Sequence, residues 1–152
     1  MSIFNAMNTS ASSLTAQRLR MDVVSSNIAN AQTTRAVMNE DGNYEPYRRK
    51  MVTLRPSEHD FKSYLNHAVH SNNTDVGKGV NVSQITEDES PFKVVYNPEH
   101  PDANEAGYVE MPNVDPLKEM VDLMSATRSY EANITSLNAS KGMLMKALEI
   151  GK

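Results

Sequence analysis

Three histidines, His59, His67 and His70, are by residue type the best candidates for metal chemistry. They lie within twelve residues, and a His-x-x-His spacing can place two imidazoles on one helix face. Zinc needs a third protein ligand, for which Glu58 or Asp60 is available, but the chain has neither a His-Glu-x-x-His pattern nor a cysteine. We interpret the three as solvated loop histidines and expect no metal site.

Two charged runs are the next candidates for binding chemistry. The basic run Arg48–Lys50 has charges suited to a phosphate, but it lies in an acidic segment, and strand alternation would split it between two faces. We interpret it as a solvated edge or a source of salt bridges. The acidic run Glu87–Glu89 lacks the spaced oxygen ligands and the glycine of a calcium loop, so we interpret it as a solvated turn.

The rest of the sequence offers no catalytic motif. It has no cysteine, and no phosphate-binding glycine loop, nucleophile elbow or dinucleotide fingerprint occurs. We therefore expect no enzyme activity and no cofactor. The formal net charge of −4 argues against a nucleic-acid binder, because such proteins need a basic surface.

The sequence carries no recognisable targeting segment. The N-terminus has no basic stretch followed by an apolar run, and no stretch reaches the roughly 18 apolar residues of a membrane span. We expect no direct membrane insertion. We expect a protein that either stays in the cytoplasm or leaves the cell by a route that needs no cleaved signal.

Helix-breaking residues divide the chain into three parts. All seven prolines lie between Pro46 and Pro116, and proline disrupts helices. The pattern predicts an α+β protein with helical residues 1–35, a β-rich middle at 36–115 and helical residues 116–152. The middle is acidic, with seven basic and fourteen acidic residues.

Both predicted helices carry apolar residues every seven positions. We predict the first from about Ile3 to Asn30, and the second from a cap at Asp115, with Pro116 at the first helical position, to a stop at Gly151. A period of seven favours a helical partner. The predicted interface residues are Met7, Leu14, Met21, Val24 and Ile28 on the first helix and Met120, Leu123, Tyr130, Ile134, Leu137, Leu144 and Leu148 on the second.

The middle part contains three strand candidates, at Tyr47–Leu54, Gly79–Ile85 and Phe92–Tyr96. It is too short, and too poor in large apolar residues, to cover both helical seams. We therefore expect the helices to pack on each other and also on other molecules, as in a subunit of a polymer.

Several motifs make the sequence resemble a known family. The segment SSNIANAQTT at the end of the first helix is similar to a signature of the bacterial flagellar rod and hook proteins. Further similarity follows at 90–101, 107–115, 119–122, 129–133 and 146–151. The family motif at the end of the first helix consists of Ser26, Asn27, Ile28, Ala29 and Asn30.

The resemblance implies a structural role. Family members form the rod of the flagellar basal body, a shaft across the periplasm, together with copies of themselves and other rod proteins. They are substrates of the flagellar type III export apparatus, which accounts for a missing signal peptide. Their terminal helices pair into an inner tube around the export channel, stay disordered until assembly, and carry an outer β-rich domain.

Two other functions stay open at this point. A cytosolic coiled-coil adaptor or chaperone would be a stable dimer with ordered ends, which circular dichroism and limited proteolysis would reveal. A metal-dependent hydrolase would use the histidine cluster, which metal analysis with a His67→Ala control would test.

Overall fold

The computed structural model describes residues 3–39, 42–57 and 79–150. Two long terminal helices pack together, and a small strand-containing region separates them in the sequence, which confirms the predicted α+β class. The elements in chain order are α1 (Ile3–Ala29), β1 (Val37–Met38), β2 (Tyr44–Glu45), β3 (Lys50–Pro56), β4 (Val80–Glu87), β5 (Lys93–Tyr96), β6 (Tyr108–Met111) and α2 (Pro116–Ile150).

The predicted start of α2 is confirmed in detail. Asp115 precedes the helix, and its side-chain Oδ1 accepts the N–H of Leu117 at 3.1 Å while its carbonyl accepts the N–H of Glu119 at 3.0 Å. Pro116 has no N–H to leave unpaired in this first turn. The predicted stop at Gly151 lies outside the described residues.

The strands form three two-stranded sheets, β1–β2, β3–β4 and β5–β6. The first and third are antiparallel, with Met38 opposite Tyr44 and Val95 opposite Val109. Strand β3 begins at Lys50, so the predicted start at Tyr47 is wrong. The reason is that the N–H of Tyr47 donates to the Thr33 carbonyl at 3.0 Å instead of to a strand.

The chain divides into two compact units. Among the described residues, one contains 3–19, 53–57, 79–84 and 126–150. Its buried side chains are small, namely Ser10, Ala16, Ala126 and Ser140. In this unit the Oγ of Ser12 accepts the N–H of Val80 at 3.0 Å, which ties α1 to β4.

The other unit contains residues 20–39, 42–52 and 85–125. Its core is formed by Val23, Val24, Tyr47, Val109 and Val114, all of which are buried. The division predicted from the prolines, into 1–35, 36–115 and 116–152, stays a prediction. Within the described ranges, neither helix has a segment apolar enough over a sufficient length to cross a bilayer.

Candidate assembly interface

Most of the predicted interface residues on the two helices are partly covered. On α1 the residues spaced by seven are partly covered, and Val24 beside them is buried. On α2 the residues spaced by seven are also partly covered, whereas the three predicted residues of the neighbouring line are exposed. The partly covered residues are Met7, Leu14, Met21, Ile28, Leu123, Tyr130, Leu137 and Leu144, and the exposed ones are Met120, Ile134 and Leu148.

The most deeply buried positions of α2 hold a different residue set. Glu119, Ala126 and Ser140 are buried, Asn133 is partly buried, and the four recur every seven residues. Small side chains let helix backbones approach closely. These four residues were not among the predicted interface residues, which were chosen as large apolar side chains. They nevertheless recur with the same period of seven.

The family motif supplies the buried end of α1. Asn27 is fully buried, Ser26, Ile28 and Asn30 are partly covered, and Ala29 is exposed. The Nδ2 of Asn30 donates to the Ser26 carbonyl at 2.9 Å, and the N–H of Asn30 reaches the same oxygen at 3.1 Å. The motif therefore closes the last turn of the helix with its own side chains.

Asn27 is the best-satisfied polar side chain of the site. Its Nδ2 donates to the Lys50 carbonyl at 2.8 Å and to Oε2 of Glu119 at 2.9 Å. Its Oδ1 accepts the hydroxyl of Tyr47 and the N–H of Lys50, both at 3.0 Å. An amide has two donor hydrogens and two acceptor lone pairs, so its hydrogen-bonding capacity is filled.

Arg49 binds the other oxygen of Glu119. Its Nε donates to Glu119 Oε1 at 2.6 Å, and its two terminal nitrogens lie 3.6 Å from carboxylate oxygens of Asp88 and Asp122. Burial disfavours the charged guanidinium, but the hydrogen bond and charge of Glu119, helped by the two aspartates, outweigh it and raise the Arg49 pKa. We call Asn27, Tyr47, Arg49 and Glu119 the polar latch.

The latch extends to the turn after β4. The Oδ1 of Asn113 accepts the N–H of Arg49 at 2.8 Å, and its Nδ2 donates to the carbonyls of Asp88 and Ser90. The carboxylate of Asp88 accepts the hydroxyl of Ser90 at 2.5 Å and its N–H at 3.0 Å, and these bonds lower the Asp88 pKa. Asp88 is therefore bonded within the unit, while Glu87 and Glu89 on either side of it are exposed.

Of the two interpretations of the basic run, the salt-bridge role applies to Arg49 and to Arg48, which lies 4.0 Å from a carboxylate oxygen of Glu45. Besides the ion pairs of Arg49, the guanidinium of Arg48 lies 4.4 Å from the ring centre of Phe92, and the ammonium of Lys50 lies 5.7 Å from that of Tyr47. Such cation–π contacts stabilise the fold where the rings limit solvation.

The histidines of the predicted cluster, His59, His67 and His70, lie outside the described residues. His100 is described, and its Nδ1 accepts the N–H of Asp102 at 3.1 Å. In the three described ranges, no group of three acidic or histidine side chains is arranged to hold a metal ion.

Large apolar side chains remain exposed on α2 although the helices pack together. They include Leu117, Met120, Val121, Met124, Met143, Met145 and Leu148. A helix whose buried stripe is small and polar and whose outer surface is apolar is typical of a subunit that binds further molecules.

Two family models match the regions that form this site. The model described as "Flagella basal body rod protein" matches residues 7–36, which hold most of α1 and the family motif. The model described as "Flagellar basal body rod FlgEFG protein C-terminal" matches residues 105–150, which hold β6 and α2. The class of protein is therefore a structural component of the flagellar basal-body rod.

Relatives extend the similarity over the full chain. The chain is 62% identical to the flagellar basal-body rod protein FlgC of Bacillus subtilis, with all of both chains covered. It is 42% identical to FlgC of Borreliella burgdorferi, covering 99% of this chain and 98% of the other, and 40% identical to FlgC of Escherichia coli over the whole of both. The chain belongs to the FlgC family of flagellar basal-body rod proteins, which are structural proteins of the basal body.

Proposed function

We propose that the chain is a subunit of the proximal rod and assembles through its terminal helices with copies of itself and with other rod proteins. The observation that carries the proposal is the distribution of side chains on α2, where small and polar residues are buried and large apolar ones are exposed. Apolar surface of this kind gains free energy when a neighbouring molecule covers it. The shared name of the relatives supports the same role.

The predicted seam residues are the proposed contacts. Leu123, Tyr130, Leu137 and Leu144 lie at seven-residue intervals on α2 and keep part of their surface accessible. Met7, Leu14, Met21 and Ile28 have the same partial exposure on α1. A side chain covered on one side by its own partner helix and open on the other suits a bundle in which each helix touches several others.

In this proposal the rod is a hollow shaft across the periplasm, and the paired helices line its export channel. Torque passes through packed helices and domain contacts, so that cell motility depends on the subunit while no covalent bond is made or broken. The chain reaches the rod unfolded through the flagellar type III export apparatus and needs no cleaved signal peptide. Its terminal helices then gain full order on assembly.

The substitution Leu137→Asp tests the proposal. A carboxylate at this partly covered position would have to lose water when a neighbour packs against it, so we expect secretion to continue while rod assembly and motility are lost. The control Asn138→Asp places the same charge on the adjacent exposed residue and should leave cells motile. Motile cells with Leu137→Asp would contradict the proposed seam.

A further inference from the structure

The first turns of α2 carry a compact apolar ridge. Leu117, Met120, Val121 and Met124 are 72%, 51%, 54% and 53% exposed. Their spacing of three, four and seven residues places all four on one face of the helix. We call this set the α2 ridge.

The same compact unit contains a groove at a separate place. The groove has a volume of about 490 Å³ and is lined by Asp22, Val23 and Ser26 of α1, Lys50 of β3, and Ile85 and Glu87 of β4. Val23 and Ile85 give it an apolar surface, and Ile85 is itself exposed. No residue of the α2 ridge contributes to this groove.

The groove carries two carboxylates, Asp22 and Glu87, against one ammonium, Lys50, so its net charge is opposite to that of the lysine beside the ridge. Lys118 lies next to Leu117 on the helix, is exposed, and has no ion-pair partner in the described part of the chain. Asp22 and Glu87 carry carboxylates at the groove, are exposed, and likewise have no ion-pair partner among the described residues. A ridge seated in the groove can therefore bring the Lys118 ammonium towards two carboxylates.

A ridge and a groove at different places define a head-to-tail contact between copies. When one copy inserts its ridge into the groove of the next, the groove of the first copy and the ridge of the second stay free. Repetition of such a contact forms a ring or an open helical assembly, whereas a contact between identical patches ends at a dimer. This geometry suits a chain whose family builds a rod.

We propose that the α2 ridge of one copy of this chain binds in the groove between α1 and β4 of another copy. The inference rests on the proposed function, because it specifies one of the contacts by which the subunit assembles. Apolar burial supplies the attraction, and the pairing of Lys118 with Asp22 and Glu87 fixes the orientation.

Disulfide capture tests the contact, since the chain has no cysteine of its own. Flagellated cells would make two differently tagged chains, one with Leu117→Cys and the other with Ile85→Cys, and isolated basal bodies would be oxidised. Because each chain carries a single thiol, every disulfide between tagged chains joins two copies. We expect the mixed disulfide to dominate over both disulfides between identical variants.

The outcomes separate the inference from the proposed function. As a control, Val94→Cys replaces Ile85→Cys; Val94 is exposed on β5 outside the groove, and it should give no mixed disulfide with Leu117→Cys. The inference would be overturned if Leu117→Cys paired mainly with itself, with a different rod protein or with the control. It would also be overturned if both chains were present in basal bodies but formed no mixed disulfide. Absence of both chains from basal bodies would overturn the rod function as well.

A charge exchange gives a second readout that needs no thiol. Lys118→Glu and Glu87→Lys should each reduce motility by placing like charges at the contact, and the double variant should restore it. Reduced motility in the single variants without any recovery in the double variant would contradict the proposed orientation.

Discussion

Asn27 and Glu119 are 92 residues apart in the sequence and share a hydrogen bond of 2.9 Å with neither side chain open to solvent. The first lies in the last turns of α1 and the second in the first turn of α2. Arg49, which directly precedes β3, binds the other carboxylate oxygen of Glu119. Glu119 therefore joins the end of α1, the start of α2 and the start of β3. The family motif thus has a structural purpose, namely to place a fully bonded amide at this junction.

Removal of the Glu119 carboxylate should strongly destabilise the folded chain. Glu119→Ala leaves Arg49 without its closest counter-charge and Asn27 without one acceptor, and we expect a loss of about 3–5 kcal/mol in the free energy of unfolding. Glu119→Gln should cost less, because its amide oxygen can still accept a hydrogen bond. Urea unfolding measures both, with the exposed Glu131→Gln on the same helix as a control expected within about 0.5 kcal/mol of the parent. Equal stability of Glu119→Ala and the control would contradict the latch.

Gly107 should tolerate alanine poorly. It has φ of +79°, and a Cβ there would lie 2.9 Å from Cε2 of Tyr96 and 3.3 Å from Cβ of Pro98. Gly42 has the same φ, but a Cβ on it would meet nothing within 4 Å. We expect Gly42→Ala to cost about 1 kcal/mol from backbone strain and Gly107→Ala about 1–3 kcal/mol more from the clash. Thermal unfolding of the two variants measures the difference, and equal midpoints would show that the ring of Tyr96 moves freely aside.

Acid should destabilise the folded chain through two aspartates. Hydrogen bonds from Arg35 and Thr34 hold the pKa of Asp102 below its ordinary 3.8, and Ser90 does the same for Asp88. A group with a lowered folded pKa contributes stability above its unfolded pKa, and this contribution is lost as pH falls through the folded value. We expect the free energy of unfolding to fall as pH drops below about 4.

The variant Asp102→Asn isolates one of these groups. In this variant the free energy of unfolding, measured with urea between about pH 5 and 2.5, should fall less steeply as the pH is lowered. Thr34→Val, which removes one of the two hydrogen bonds, should have an intermediate effect. An unchanged slope in Asp102→Asn would contradict a role for this carboxylate in acid stability.

The sequence predicts the helices well because their signals are local. Asp115 and Pro116 mark the start of α2 without any tertiary information, and Asp115 does cap the helix. The start of β3 was predicted too early because Tyr47 lies in a strand-like run but is bound to Thr33 and packed at the end of α1. Local propensity cannot show such a tertiary contact.

The polar latch likewise depends on tertiary contacts, which local sequence patterns do not show. Arg49 and Glu119 are 70 residues apart, and Arg49 belongs to a basic run for which a solvated edge is an ordinary interpretation. A sequence signal existed for the buried stripe, since Glu119, Ala126 and Ser140 follow a period of seven. That period is easily overlooked because helical patterns are usually traced through large apolar residues.

In the proposed rod, neighbouring molecules cover the apolar surface of α2. Methionine oxidation tests it directly, since Met120 and Met124 are exposed in the single chain and Met38 of β1 is exposed to a similar extent. We predict that peroxide oxidises all three in the purified chain, and that in isolated rods Met120 and Met124 are protected while Met38 still reacts. Oxidation of Met120 and Met124 in rods at the rate of the free chain would show that no neighbouring molecule covers this surface.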